Sequence, residues 1–229
     1  MRAVMNSELE RAELFAEHAL AIGRSRQDPG ALIAYEAQLA LIRTAQGRLA
    51  EMEPLLKRRV SEFPTLVVMR CGLAACYANL GRTHEASEEF EILAADNFRG
   101  IPRDWNWLGA IAMASTTCAF LNDVERAEIL YEMLLPYADR NVTVGWGEAC
   151  YGSASQVLGA LATVNSKFEK AEEHFDRAIA ADFAMGARGF AASAQCACAE
   201  MLIRRGLPDD RKKAAELCAS AAQIARSGF

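Results

Sequence analysis

The chain has 229 residues, 52% of them hydrophobic and 24% charged, which is the composition of a folded protein and excludes a disordered one. Its formal net charge is −5, and its short basic runs lie beside acidic residues, which argues against direct nucleic-acid binding. The N-terminal segment lacks the apolar core of a signal peptide, and no apolar run is long enough to span a bilayer. We therefore expect a cytoplasmic protein that does not enter a membrane.

In chain order, the sequence predicts amphipathic helices separated by polar turns. Asn6 and Ser7 can cap a predicted helix that runs to about Gly23, and residues 1–26 are interpreted as half of a repeat whose other half is missing. Four repeats and a terminal helix pair follow, over 32–64, 66–98, 104–136, 149–182 and 187–229. We predict one all-α domain over 1–229, with about ten or eleven antiparallel helices. Its unpartnered first helix is consistent with a fragment of a longer array and with a homodimer.

The repeat itself has a recognisable period. Gly47 and Gly81, which can end helices in the left-handed conformation, are 34 residues apart, and the later repeats are longer. In the second to fourth repeats, a small residue stands where two helices cross closely, and an aromatic residue follows one helical turn later. These pairs are Ala86 and Phe90, Ala127 and Tyr131, and Ala171 and Phe175. The pattern resembles the tetratricopeptide (TPR) family, which implies a right-handed helical-repeat solenoid.

A second resemblance covers most of residues 27–229. Stretches such as AQLALIRTAQGRLAEMEPLL, IPRDWNWLGAIA and RKKAAELCASAAQIARSGF resemble the C-terminal helical-repeat region of bacterial regulators that join an ATPase module to a cyclase or a LuxR/MalT-type DNA-binding domain. This resemblance implies a non-catalytic scaffold or sensor module of a larger signalling or transcriptional regulator. The enzymatic and DNA-binding domains would lie outside this chain, so no catalytic residue is transferred.

Residues that could carry out chemistry are scattered. The sequence contains no phosphate-binding glycine loop and no paired-histidine metal pattern, and Cys196-Ala-Cys198 is a weak metal signal by itself. The seven cysteines are expected to be reduced, and most of them to be small buried hydrophobes. His84 and His174 lie in charged segments and are expected to be solvated. We predict no catalytic residue, no metal and no cofactor. An enzyme on a helical-repeat scaffold is the least favoured alternative.

Three loops carry the first set of candidate contact residues. If the helices stack regularly, the loops over 96–107, 137–152 and 183–190 line one edge of the array. Tryptophan and arginine are typical of binding hot spots, although they also seal long loops between repeats. The candidates are Arg99, Arg103, Trp105, Trp107, Arg140, Trp146, Arg188 and Phe190.

The concave groove is the second candidate surface. In TPR arrays the first helix of each pair lines this groove, and here the register places small, neutral side chains in it. The candidates are Cys71, Asn79, Thr116, Phe120 and Gln156. They lack the cationic clamp that grips an acidic peptide, so an uncharged amphipathic helix or apolar segment is the better fit. The preferred partner is a protein or peptide, including other domains of the parent protein, and a small-molecule effector is the main alternative.

Overall fold

The structure is a computed structural model that describes residues 2–5 and 8–227. The described residues form twelve α-helices and one two-stranded antiparallel sheet, so the predicted mainly helical class is confirmed. The helices are α1 (Arg2–Met5), α2 (Leu9–Ser25), α3 (Ala31–Ala45), α4 (Glu53–Glu62), α5 (Val67–Asn79), α6 (Thr83–Ala94), α7 (Trp107–Leu121), α8 (Val124–Leu134), α9 (Ala154–Val164), α10 (Phe168–Ala184), α11 (Arg188–Arg205) and α12 (Asp210–Ser227). The strands are β1 (Asn141–Val144) and β2 (Ala149–Ser153).

The helix boundaries largely follow the local sequence signals. Gly47, Gly81 and Gly206 adopt left-handed φ angles of 69°, 72° and 75° at helix ends, as expected for glycine. Asn122 takes the same left-handed conformation at the end of α7, in a turn that has no glycine. The helix count exceeds the predicted ten or eleven because the segment before Leu9 adds the short α1. The predicted caps Asn6 and Ser7 lie outside the described residues.

The core is built from consecutive helices that pack in pairs. Helix α5 contacts α6 and α7, α7 contacts α8 and α9, and α9 contacts α10 and α11. The expected burial of the small and aromatic residues is confirmed: Ala86, Ala127 and Ala171 have no exposed surface. A Cβ atom at Gly159 would lie 2.8 Å from the Phe175 ring, so α9 and α10 approach at a distance that only glycine permits.

The connection between α8 and α9, which was predicted to be a loop, contains a β-hairpin. Val142, Thr143 and Val144 are β-branched, and the turn glycines that follow allow the strand to reverse direction. Val142 and Val144 are buried, and a Cβ atom at Gly109 of α7 would come 2.5 Å from Val144 Cγ1. The hairpin therefore packs directly on α7, and α9 begins only at Ala154, after the strand that occupies 149–153.

The two ends of the chain approach each other. Helix α1 contacts α11, and the apolar cluster of the first helices includes Val4, Leu41 and Ile42. Tyr151 of β2 and Phe190 of α11 pack against this same cluster. Among the residues described, no helix has the length and apolar character needed to cross a membrane.

Candidate functional site

A cavity of about 850 Å³, which we call the central groove, lies between several of the helices. Side chains of α3, α5, α7, α9 and α11 line it, together with the hairpin and parts of α1, α4 and α12. Met69, Met113 and Val157 are typical of its walls, which are mainly aliphatic. Among the described residues, α6, α8 and α10 contribute nothing to the lining. One side of the helical array therefore forms a continuous apolar surface.

Only three charged side chains line the central groove within the described residues: Glu36, Arg59 and Glu148. Arg59 donates from Nη2 and Nε to the Glu36 carboxylate at 2.6 and 2.7 Å, and both side chains are almost buried. Arg59 also pairs with Glu62, and the Glu36 carboxylate raises the pKa of the Arg59 guanidinium. Arg59 belongs to one of the short basic runs of the sequence, Lys57-Arg58-Arg59, but it is buried because its partner Glu36 lies on a different helix.

Three of the predicted groove residues do line the groove. Asn79 donates to the Ala75 carbonyl at 2.7 Å, Thr116 donates to the Ala112 carbonyl at 3.0 Å, and the Gln156 amide donates to the Ser193 hydroxyl at 2.9 Å. These groups are neutral, and each hydrogen bond fixes a side chain against its own or a neighbouring helix. The groove therefore offers uncharged hydrogen-bonding groups in an apolar wall.

Two predicted groove residues lie elsewhere, which corrects the expected register. Cys71 is completely buried in the core, and its burial raises the pKa of the thiol to about 12. Phe120 is partly exposed but does not line the groove. On α5 the groove-facing positions include Met69, Gly72, Ala75 and Asn79, so the predicted residue Asn79 lies on the lining face and Cys71 does not.

The tryptophan-bearing loops meet at the groove. Trp105 and Trp146 stack with ring centroids 5.1 Å apart and planes inclined by 22°. Both border the groove and are unusually exposed for tryptophan, at 58% and 82%. Asn106 Oδ1 accepts a hydrogen bond from Gly145 N at 2.8 Å, which joins the loop before α7 to the hairpin turn. This bond explains why two indoles 41 positions apart in the chain are neighbours.

Trp107 has a different position from the other two tryptophans. It is 6% exposed, and its ring lies 5.3 Å from Tyr137. The Arg103 guanidinium lies 4.5 Å above the Trp107 ring, a cation–π arrangement. Trp107 is therefore a core residue that seals the loop, which corrects its selection as a contact residue.

The remaining loop candidates do not form a single edge with the tryptophan pair. Arg99 is exposed and pairs with Asp96 at 3.3 Å, and Arg140 and Arg188 are also exposed. None of these arginines lines the central groove. Phe190, by contrast, is half-buried and lines it. Of the eight loop residues, the structure brings Trp105, Trp146 and Phe190 to the same cavity.

Two buried titratable groups lie outside the groove. Asp182 of α10 has no exposed surface, and its carboxylate oxygens have no hydrogen-bond partner among the described residues. Burial raises the pKa of Asp182 to about 6. His174 was expected to be solvated, but it is buried with Nε2 2.9 Å from the Tyr131 hydroxyl, and burial lowers its pKa. In the described part of the chain, no cluster of three acidic, histidine or cysteine residues could hold a metal ion.

The comparisons leave the groove as the main source of functional information. No family model matches the chain, and no curated protein or solved structure matches it either. The shape, charge and aromatic residues of the central groove are therefore the basis for assigning a function.

Proposed function

We propose that this chain is a non-catalytic binding module built as a TPR-like right-handed solenoid. Three features support the repeat architecture: the 34-residue spacing of Gly47 and Gly81, the buried alanines Ala86, Ala127 and Ala171, and the contribution of α3, α5, α7, α9 and α11 to one cavity. Following the resemblance to bacterial regulators, the module acts as the sensor or interaction part of a larger signalling protein.

The observation that carries this proposal is the size and character of the central groove. Its volume of about 850 Å³ falls in the range of ligand sites, and aliphatic walls with a few neutral polar groups are typical of them. Binding would be driven by removal of apolar surface from water, and the amides and hydroxyls of the wall would orient the ligand.

The ends of the groove favour a compact ligand. Val4 and Met5 of α1 and Ile224 and Ala225 of α12 border the same cavity. Elements from both ends of the chain thus limit the length of the groove. A small-molecule effector fits this enclosure better than an extended peptide, which needs an open path along the array.

A neutral fluorescent dye and a matched pair of variants test the proposal. N-phenylnaphthylamine brightens in apolar surroundings, and we expect saturable binding to the intact chain. Ala75 lines the groove, so Ala75→Phe should weaken dye binding roughly tenfold, which is about 1.4 kcal/mol. Ala215 is exposed on α12, and Ala215→Phe should leave the affinity unchanged. Absence of saturable binding, or equal binding by both variants, would contradict a ligand site in the groove.

A further inference from the structure

We infer that the ligand of the central groove is an organic cation with an apolar, ring-bearing body, and that Trp105, Trp146 and Glu148 hold its cationic group. The inference rests on the proposed function and adds the chemical class of the ligand. It depends on two features of the groove: its charge and its exposed aromatic pair.

The charge balance of the groove excludes an anion and favours a cation. The Arg59 guanidinium is already occupied by Glu36 and Glu62, so it offers no free positive charge. Glu148 forms no ion pair within the described residues, so its carboxyl group is the acidic group of the described lining that has no cationic partner. An anion that entered this apolar space would lose hydration without gaining a counter-charge, whereas a cation would gain one.

The hairpin turn carries both Glu148 and Trp146. Glu148 lies two residues after Trp146 in the hairpin turn. A Cβ atom at Gly145 would overlap the Glu148 carboxylate, so the carboxylate folds back over the turn that carries Trp146. The Glu148 carbonyl accepts a hydrogen bond from Gln38 Nε2 at 3.1 Å, which anchors this turn to α3. The carboxylate and the indole are therefore held by the same short segment of backbone.

The tryptophan pair supplies the second recognition element. In a stack of two rings, each indole keeps one face that the other does not cover, and the high exposure of both residues leaves those faces accessible. The face of an indole is the strongest natural binding surface for an ammonium group. A flat ring on the ligand could also extend the stack, while the rest of its apolar body occupies the aliphatic groove. Exposed indoles, a free carboxylate and an apolar cavity together match an organic monocation.

Displacement of bound N-phenylnaphthylamine from the intact chain tests this inference. The competitors are benzyltrimethylammonium, its neutral isostere neopentylbenzene, and the anion phenylacetate. We expect the cation to bind at least about fivefold more tightly than the neutral isostere, and the anion to compete most weakly. Equal affinities for the first two competitors, or tighter binding of phenylacetate, would overturn the cation assignment. The proposed function would then still stand, because binding of the dye reports on the groove itself.

Two variants and one control test whether Glu148 and Trp146 cause the preference for the cation over its neutral isostere. Glu148→Gln and Trp146→Leu should each reduce the preference for the cation over its isostere at least about threefold. Trp146 is exposed and Glu148 is only partly buried, so the fold should survive, and retained dye binding would show that it does. Glu132→Gln removes an exposed carboxylate on α8 and should leave the preference unchanged. If Glu148→Gln and Trp146→Leu both keep the full cation preference, the assignment of these residues is wrong.

Discussion

The unpartnered carboxyl of Asp182 makes the stability of this protein depend on pH in a predictable way. The side chain is fully buried, and the carboxylate receives no hydrogen bond within the described residues. Folding therefore transfers the ionised carboxylate from water to an environment that does not stabilise its charge. Asp182→Asn keeps the shape of the side chain and removes the charge, so the variant isolates the energetic effect of ionisation.

The magnitude follows from the shift in pKa. Burial raises the pKa of Asp182 from its ordinary value of 3.8 to about 6. The folded state then binds the proton more tightly than the unfolded state, so stability falls as pH rises from about 4 to about 6. At about 1.4 kcal/mol per pKa unit, ionisation of Asp182 lowers the free energy of unfolding by about 3 kcal/mol once the pH is above this range. The Asp182→Asn variant should be about 3 kcal/mol more stable than the natural chain near neutral pH and about equal near pH 4.

Equilibrium unfolding in urea, followed by circular dichroism at several pH values, measures this difference directly. Asp176 is an exposed acid on the same helix, and Asp176→Asn serves as the matched control that should show no pH-dependent gain. Other carboxyls of the chain titrate in both proteins and cancel in the comparison. A free-energy difference between the natural chain and Asp182→Asn that stays constant from about pH 4 to about pH 7 would refute the reasoning.

Two further predictions concern the tryptophans of the loop before α7 and the buried ion pair of Arg59. Trp107→Ala should lower the free energy of unfolding by about 3–5 kcal/mol because the ring is buried, whereas Trp105→Ala should change it by less than about 1 kcal/mol. Similar urea midpoints for these two variants would show that the assignment of Trp107 to the core is mistaken. Glu36→Gln should destabilise the chain by about 2 kcal/mol, because Arg59 loses a buried bidentate partner. The double variant Glu36→Gln/Arg59→Met should recover part of this loss, because it no longer leaves a buried guanidinium without its partner. A double variant as unstable as Glu36→Gln alone would contradict an energetic coupling between Glu36 and Arg59.

Local signals in the sequence determined the helical class and many of the helix boundaries. Gly47 and Gly81 mark turns because a positive φ angle is a property of the residue itself. Ala127 and Tyr131 were recognisable as core residues because their spacing places them on the same face of one helix. Such patterns depend on neighbours within a few positions, so they can be recognised without knowledge of the packing.

The hairpin was the element that could have been recognised from sequence but was not. Its alternating β-branched run, from Val142 to Val144, is followed by glycines at a turn, which is a local strand signal. The repeat pattern predicted helices on both sides of this segment and therefore a loop between them. The consequence is functional, because the hairpin turn carries Trp146 and Glu148 into the groove.

Only the tertiary structure decided which side chains share the central groove. Trp105 and Trp146 lie side by side because a hydrogen bond joins the loop before α7 to the hairpin turn. Arg59 pairs with Glu36, which lies on another helix. The burial of Cys71 depends on how α5 packs against α6 and α7, which the sequence of the helix does not specify. Local sequence patterns therefore determined the helices, while packing between distant segments determined the charge, the aromatic pair and the enclosure of the candidate site.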